Sequence, residues 1–145
     1  MSKLKIYCKD ENCMPKRAHP TDAGIDLRAD KEYRIPTTTE LVKTGIHVEI
    51  PDGYVGLVAL RSGLSKEGFY LANGVGIIDS NYRGEIMCAI RYNSLAYAYK
   101  NIEQYQRIAQ LIVVPCILEE EFVNKLEDLS ETDRGEGGFG HTGKH

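Results

Sequence analysis

Alternating apolar and polar residues constrain the fold of this chain more than any other feature of its sequence. The clearest run places Ile46, Val48 and Ile50 between polar neighbours. Successive side chains of a β-strand point to opposite faces of a sheet, so a period of two predicts a strand with one buried face. The same period recurs near the N-terminus at Leu4 and Ile6, and later at Ile86, Cys88 and Ile90.

Turn-forming residues interrupt the sequence at short intervals. Glycine, proline and asparagine favour the dihedral angles that tight turns need. Helical periodicity, in contrast, is confined to residues 64–68 and, more weakly, 123–126. Many short strands with one short helix predict an all-β fold, a jelly roll or distorted β-barrel. The turn signals stand at Pro36 and in the segments 51–53, 61–63, 73–74 and 81–84.

The longest apolar run covers residues 108–118, and hydrophobicity alone would also allow a buried helix there. Its β-branched residues Ile112, Val113 and Val114 favour an extended chain, and Pro115 disfavours a helix interior. The run is therefore predicted to form a long central strand.

Length and composition limit the range of functions. A chain of 145 residues suits one domain, predicted to span residues 1–145. The net charge of -3 argues against stable nucleic-acid binding, which usually needs a basic surface. The sequence contains no apolar run that predicts a membrane span and no N-terminal stretch typical of a signal peptide. A cytoplasmic protein with no membrane partner is expected.

The cysteines fit the same interpretation. Cys8, Cys13, Cys88 and Cys116 lack the paired spacing of zinc-binding motifs, and two of them lie within apolar stretches. We interpret them as reduced core thiols rather than as zinc ligands or disulfides. This interpretation favours a reducing compartment.

The C-terminal region differs in character from the rest of the chain. Acidic residues are frequent in 119–133, and five glycines fall within 134–143. Such a segment buries too little apolar surface to order itself. Residues 134–145 are therefore predicted to form a flexible glycine-rich arm, hereafter the arm, which a ligand or a neighbouring subunit orders.

The arm is the first candidate for a functional role. Its glycines allow backbone N–H groups to approach phosphate oxygens, while Arg134 and Thr142 add donors and Phe139 offers a flat face for a base. These features suit a nucleotide, although an unbound tail explains them equally well. The arm is not a Walker loop, because no Gly-Lys-Ser/Thr follows the glycines.

Three further candidates stand at turns. The Arg-Ser-Gly segment at 61–63 precedes the predicted helix, where it can hold a phosphate or form an ordinary turn. Asp79 ends an apolar strand, and such a carboxylate can take up a proton from water or cap the turn. Tyr82 adds an aromatic face beside it. Asp26 is suited to hold a metal-bound water, or simply to face solvent.

Five segments, in this order, resemble the motifs of the trimeric dUTPase family. They are AGIDLRA at 23–29, RSGLSKEG at 61–68, NGVGIIDSNYRGE at 73–85, QRIAQLIV at 106–113 and RGEGGFGHTG at 134–143. The resemblance implies a β jelly-roll homotrimer whose active sites are each assembled from more than one subunit. It also implies Mg2+-dependent hydrolysis of dUTP to dUMP and pyrophosphate, which limits uracil incorporation into DNA and supplies dUMP for dTMP synthesis.

The resemblance assigns roles to individual residues. Asp79 matches the catalytic carboxylate that orients water for in-line attack at the α-phosphate. Tyr82 matches the ring on which deoxyribose packs, leaving no space for a 2′-hydroxyl. A hairpin whose donors and acceptors fit uracil rejects other bases, because its own groups would be left unpaired. The residues that match this hairpin are Asn73, Gly76, Ile77, Ile78 and Met87.

The remaining matches concern the triphosphate and the metal. Asp26 matches the residue that holds a water of Mg2+, an ion held mainly by the substrate phosphates. Phe139 would stack on uracil when the arm closes over a neighbour's site. The matches to phosphate contacts are Arg61, Ser62, Gly63 and Gln110, and in the arm Arg134, Gly140, His141 and Thr142.

Two residues depart from the family pattern. Asn81 stands where aspartate is frequent, which puts a supporting ion pair near the turn in doubt. His141 stands where serine is usual, and its titration near neutrality predicts activity or affinity that depends on pH. The other histidines, His19, His47 and His145, have no ligand-like spacing and are predicted to lie on the surface.

Two other functions are open at this point. A dCTP deaminase of the same fold needs a glutamate near the exocyclic amine, and Glu85 is the nearby candidate. A regulatory nucleotide-binding protein would use the ordered arm as a surface for a partner. The sequence between Asp79 and Arg134 contains no insert large enough to form an extra interaction element, which disfavours regulation as the main role.

Overall fold

The chain is mostly β-structure in the computed structural model, which describes residues 3–143. Within these residues eleven strands and one α-helix form, which confirms the predicted mostly-β fold with one short helix. The strands are β1 (Lys5–Cys8), β2 (Ile25–Arg28), β3 (Tyr33–Pro36), β4 (Glu40–Lys43), β5 (Ile46–Glu49), β6 (Tyr54–Leu60), β7 (Phe69–Leu71), β8 (Gly76–Ile78), β9 (Met87–Tyr92), β10 (Tyr99–Ile102) and β11 (Arg107–Pro115); the helix is α1 (Ser62–Lys66).

All pairings between these strands are antiparallel. A four-stranded sheet has the order β2-β11-β6-β8, and a three-stranded sheet has the order β4-β9-β7. Two-stranded sheets join β1 to β5 and β3 to β10. Because consecutive strands are rarely neighbours, residues far apart in sequence meet at the ends of the sheets.

The strand predicted from the long apolar run is β11, and it lies in the interior of its sheet between β2 and β6. It ends at Pro115 rather than at Leu118. Proline has no N–H to donate to a ladder, so the pairing with β6 stops at Tyr54, the partner of Pro115.

Most of the predicted alternation corresponds to burial. Ile46, Val48 and Ile50 are buried, as are the apolar residues of the run that begins at Ile86. The expectation for the N-terminal run is wrong at Ile6, which is 38% exposed. Strand β1 pairs only with β5, and an edge strand with one neighbour leaves side chains uncovered.

A single cluster of buried side chains lies between the sheets. Burial of this size supplies the main driving force for folding, about 1.5–3 kcal/mol for each large apolar side chain. The largest fully buried side chains include Phe69, Leu27, Ile35, Ile46, Ile90, Ile102 and Ile108.

Helix α1 begins at Ser62, two residues earlier than the pattern predicted. Arg61 precedes it in an extended conformation and makes no side-chain cap. Only Leu64 of the helix is buried. One buried apolar residue produces no helical periodicity, which explains why the sequence pattern placed the start of α1 too late.

After β11 the chain leaves the sheets. Residues 117–136 are exposed throughout and contain one short 3-10 helix, Leu126–Asp128, near the turn suggested at 123–126, and a turn at 133–136. Ile117 and Phe122 are each about nine-tenths exposed (89% and 91%). In the described part of the chain, no helix is long and apolar enough to cross a bilayer.

Candidate functional site

Two separate hollows contain most of the residues predicted to act in function. The first, hereafter the arginine hollow, has a volume of about 210 Å³. Strands β2 and β11 build its floor, where Asp26 pairs with Gln110, and the start of α1 forms its rim. Its lining residues are Ala18, Asp22, Gly24, Asp26, Arg61, Ser62 and Gln110.

Asp26 lies between two guanidinium groups in the arginine hollow. Arg61 Nε is 3.4 Å from one carboxylate oxygen, and Arg107 Nη1 is 3.2 Å from the other. The Asp26 side chain is only 15% exposed, so these pairs are better shielded from solvent than surface ion pairs. The arrangement orients Arg61 toward the hollow. Arg107 was not singled out in the sequence, although it lies within the segment 106–113.

Gln110 packs closely on Gly24 across the β2–β11 pairing. A Cβ atom at residue 24 would lie 2.3 Å from Gln110 Oε1, so only glycine leaves room for the amide. Gly63, by contrast, has open space around it and does not line the arginine hollow. The fold thus brings Arg61, Ser62, Asp26 and Gln110 together at one hollow.

The second hollow, hereafter the tyrosine hollow, has a volume of about 290 Å³. Asp79 directly follows β8 on its exposed rim, as predicted. Leu41 and Ala89 also line it, and they are partners in the β4–β9 pairing. No local signal marks them, because their contribution depends on that pairing. The lining residues are Leu41, Asn73, Ile77, Ile78, Asp79, Tyr82, Glu85, Ile86, Met87 and Ala89.

The segment 79–85, hereafter the recognition turn, is closed by its own hydrogen bonds. The Tyr82 N–H donates to the Asp79 carbonyl at 3.0 Å, and the Tyr82 hydroxyl donates to the Glu85 carbonyl at 3.0 Å. The Tyr82 ring lies over Gly84, where an added Cβ would be 2.3 Å from the hydroxyl oxygen. These contacts fix the ring beside the Asp79 backbone.

In the turn that contains Asn81, Arg83 is bound to main-chain carbonyls. The Arg83 guanidinium donates to the carbonyls of Ser80 and Tyr82 at 2.6 and 3.0 Å. Hydrogen bonds to the main chain of the turn therefore occupy Arg83, the arginine two residues after Asn81.

The two hollows lie at opposite ends of β6. Ile78 pairs with Gly56, near the start of that strand, whereas Arg61 follows its end. Five residues of extended chain separate Gly56 from Arg61, which corresponds to about 16 Å. This separation is much larger than that between neighbouring phosphate groups of one nucleotide. Within one chain, the fold thus does not bring Asp79 to the arginine hollow.

The predicted residues of the arm also lie apart from both hollows. Arg134 Nε donates to the Gly137 carbonyl at 2.7 Å, and Phe139 is fully exposed with a φ of 38°. Gly140, His141 and Thr142 are likewise exposed, and residues 144–145 of the predicted arm, with His145, lie outside the described residues. A hollow of about 520 Å³ is formed by residues 126–136 themselves and includes Glu127, Glu131 and Glu136, which do not suit a phosphate.

The carboxylates allow only a limited role in metal binding. Among residues 3–143 no group of three or more His, Cys, Asp or Glu side chains is placed to hold a metal ion. Asp22 and Asp26 line the arginine hollow together. Each Asp26 oxygen has one guanidinium partner and keeps room for a water, since a carboxylate oxygen accepts about two hydrogen bonds. This donor set fits a Mg2+ ion held through water and substrate phosphates.

Comparisons with known proteins identify sequences and structures that are similar to this chain. The family model described as dUTPase matches residues 10–143. The deoxyuridine 5'-triphosphate nucleotidohydrolase of Corynebacterium jeikeium is 47% identical, over 97% of this chain and 92% of that protein. The enzyme of the same name from Chlamydia pneumoniae is 45% identical, over 97% of this chain and 99% of its own length.

Solved structures give the same result for the fold. A mutant dUTPase of Staphylococcus bacteriophage 80alpha, solved with dUpNHpp, superposes with a TM-score of 0.85 at 30% identity and covers 99% of this chain and 100% of that one. A dUTPase mutant from phage phi11 of S. aureus has a TM-score of 0.78 at 29% identity, over 87% and 99% of the two chains. Its description refers to the coordination of a structural Mg(II) ion.

Proposed function

Since the chain belongs to the dUTPase family, we propose that it is a dUTP nucleotidohydrolase that splits dUTP into dUMP and pyrophosphate by in-line attack of water at the α-phosphate. The observation that carries this proposal is the tyrosine hollow, in which an exposed carboxylate, an aromatic ring and the edge strand β8 face one space. In a cell, this reaction limits uracil incorporation into DNA and provides dUMP for dTMP synthesis.

Asp79 is the catalytic residue of this proposal. Its carboxylate accepts a hydrogen bond from the attacking water and orients the oxygen toward phosphorus. Its position at the end of β8 supports this role, because the strand fixes the backbone while the side chain stays exposed to substrate.

The neighbouring residues select the nucleoside. Tyr82 supports the deoxyribose, and its ring, held over Gly84, leaves no room for a 2′-hydroxyl. The uracil base is read by the edge strand β8 and the segments next to it. The residues assigned to the base are Asn73, Gly76, Ile77, Ile78 and Met87.

The arginine hollow takes the phosphates. Arg61, Ser62 and Gln110 face the same small space and offer charged and neutral donors, with the Gly63 backbone beside them. Mg2+ bound to the phosphates supplies further neutralisation of their charge. Asp26 orients Arg61 and would hold a water of that ion.

The separation of the two hollows supports a homotrimer with shared active sites. Asp79 of one subunit would face Arg61 and Gln110 of another, because one chain holds them at opposite ends of β6. The arm, residues 134–145, would close over a neighbour's site. There Phe139 stacks on uracil, while Arg134, Gly140, His141 and Thr142 contact the outer phosphates. The rest of the chain forms a single domain with this arm attached.

The cysteines support a cytoplasmic setting. All four thiols are free, and Cys13 and Cys88 are buried. A reducing compartment such as the cytoplasm preserves this state.

Incubation with Mg2+ and each of dUTP, dCTP, dTTP and UTP tests the proposed reaction, with products identified by chromatography. We expect dUMP and pyrophosphate from dUTP alone. Asp79→Asn should lower kcat by at least about 100-fold with little change in dUTP binding, because it replaces the charged carboxylate that orients the attacking water with a neutral amide, which is a weaker acceptor and base. Wild-type turnover by a folded Asp79→Asn protein would contradict the mechanism, and ammonia release from dCTP would contradict the reaction.

A further inference from the structure

His47 was predicted to be a plain surface residue, but it contacts the recognition turn. Its Nδ1 atom lies 2.8 Å from the carbonyl oxygen of Arg83. A carbonyl only accepts hydrogen bonds, so Nδ1 carries the hydrogen and donates it. The His47 side chain is half-buried, and its ring packs against that of Tyr7 with centroids 5.7 Å apart. The imidazole therefore has a defined orientation toward the turn.

Strand β5 and the residues before it hold the end of the recognition turn at three further points. The Thr44 hydroxyl donates to the Ile86 carbonyl at 2.7 Å, and the Ile86 N–H donates to the Ile46 carbonyl at 2.8 Å. The Gly45 N–H donates to Glu85 Oε1 at 2.8 Å. The Glu85 carboxylate is thus bound to the main chain, which weakens the case for a proton-delivering deaminase glutamate.

These four hydrogen bonds fix different parts of the recognition turn and of the chain that follows it. Three of them fix Glu85 and Ile86, at the point where the turn enters β9. Only the His47 contact, among the hydrogen bonds of the described residues, joins β5 to the middle of the turn. The Arg83 carbonyl belongs to the peptide unit between Arg83 and Gly84, so its orientation fixes Gly84, the residue over which the Tyr82 ring lies.

We propose that His47 is a positioning residue for nucleoside recognition: its imidazole fixes the Arg83 carbonyl and thereby the Tyr82 ring that supports the sugar. This inference rests on the proposed function of the tyrosine hollow. It assigns His47 no contact with substrate. Without the hydrogen bond, the turn samples other peptide orientations, and the ring excludes a 2′-hydroxyl less strictly.

Three substitutions test this role. Asn places its amide nitrogen near the position of Nδ1, whereas the longer Gln places it near Nε2, and Ala removes the donor altogether. A single hydrogen bond contributes about 0.5–1.5 kcal/mol, so we expect His47→Ala to raise KM for dUTP about three- to tenfold. We expect kcat within about twofold of wild type, and the preference for dUTP over UTP to fall by a similar factor.

The amide variants separate positioning from general stability. His47→Asn should retain wild-type KM and selectivity, while His47→Gln should behave like His47→Ala. Lys5→Ala provides a matched control, because it breaks the exposed Lys5–Glu49 pair on the same two strands without touching the turn. Melting temperatures of all variants are measured alongside. If His47→Ala does not fold, the comparison of His47→Asn with His47→Gln still tests the proposal.

Two results would overturn the proposal. One is wild-type KM and selectivity in His47→Gln, and the other is equal impairment in His47→Asn and His47→Gln. Failure of the wild-type protein to hydrolyse dUTP would instead refute the proposed function, and the two failures are therefore distinguishable.

Discussion

The contact between Gly24 and Gln110 illustrates how one missing side chain shapes the arginine hollow. Gln110 Oε1 occupies the space that a Cβ at residue 24 would need. Because backbone pairing places Asp26 opposite Gln110, the amide has few other positions. The glycine thus determines where the Gln110 side chain lies.

Gly24→Ala should therefore weaken phosphate binding without abolishing folding. A Cβ 2.3 Å from Gln110 Oε1 forces the amide out of its position. We expect KM for dUTP to rise about tenfold, the effect of losing about 1.4 kcal/mol of binding. Steady-state kinetics and thermal melting measure the two effects. In a Gln110→Ala protein, Gly24→Ala should raise KM for dUTP little further. If the effects of the two substitutions on KM add fully, Gly24 acts through a contact other than Gln110.

At the scale of elements, β6 connects the two hollows and is closely packed along its length. Gly56 lies between β8 and β11, and a Cβ there would be 2.8 Å from Ile50 Cδ1 and 3.0 Å from Ile78 Cβ. A side chain at this point would separate strands that the core holds together. The rigidity of β6 thus sets the distance between the hollows.

Gly56→Ala is expected to destabilise the protein by about 1–3 kcal/mol, the usual effect of overpacking a core. Urea or thermal unfolding measures this change. Ile50→Val removes Cδ1, the nearest atom, so the double variant should recover part of the loss. No recovery would mean that the side chains of Ile78 and Leu111, rather than that of Ile50, resist the added methyl group.

On the scale of the whole molecule, the separation of the hollows makes a prediction about assembly. An Asp79→Asn chain keeps its arginine hollow, and an Arg61→Ala chain keeps its tyrosine hollow. If each site draws these residues from different subunits, about a quarter of the sites in a randomly mixed trimer contain both native residues.

Unfolding the two variants together and refolding them should thus restore activity that neither has alone. Pyrophosphate release measures the recovery, and each variant refolded by itself serves as the control. Mixed assemblies that stay inactive, with a trimer shown by light scattering, would place both hollows of one site in a single subunit.

The thiols provide a second test at this scale. Burial raises the pKa of the Cys88 thiol from 9.0 to about 12, and that of Cys13 from 9.0 to about 11 with Asp10 nearby. The thiolate is the reactive form, so both should resist a disulfide reagent at pH 8 until the protein unfolds. Mass spectrometry identifies the modified positions. Rapid labelling of Cys88 in folded protein would contradict the packing of β9.

The same shift predicts how stability depends on pH. Because the pKa of Cys88 is raised in the folded state, its contribution to the free energy of unfolding is complete below about pH 9. This contribution is lost as the pH rises toward 12. In Cys88→Ala, the free energy of unfolding should therefore fall less steeply as the pH rises above 9 than in the wild-type protein. An unchanged alkaline slope would show that other groups control it.

Several strands and the main candidates could be predicted from the sequence, because their signals are local. The period of two around Ile46 and Ile86 follows from burial of one face, and β-branched residues identified β11. Asp79 at the end of an apolar strand could be recognised for the same reason. The order of the motifs then predicted the family, which the comparisons confirmed.

Tertiary structure alone decided which distant residues meet. The Asp26–Arg107 pair requires the β2–β11 register, and Leu41 reaches the tyrosine hollow only through β9. His47 has an ordinary place in an alternating strand, yet the packing of β5 against the recognition turn gives it a specific partner. Local patterns report which face is buried, whereas contacts across strands depend on pairing and register, which no short stretch of sequence contains.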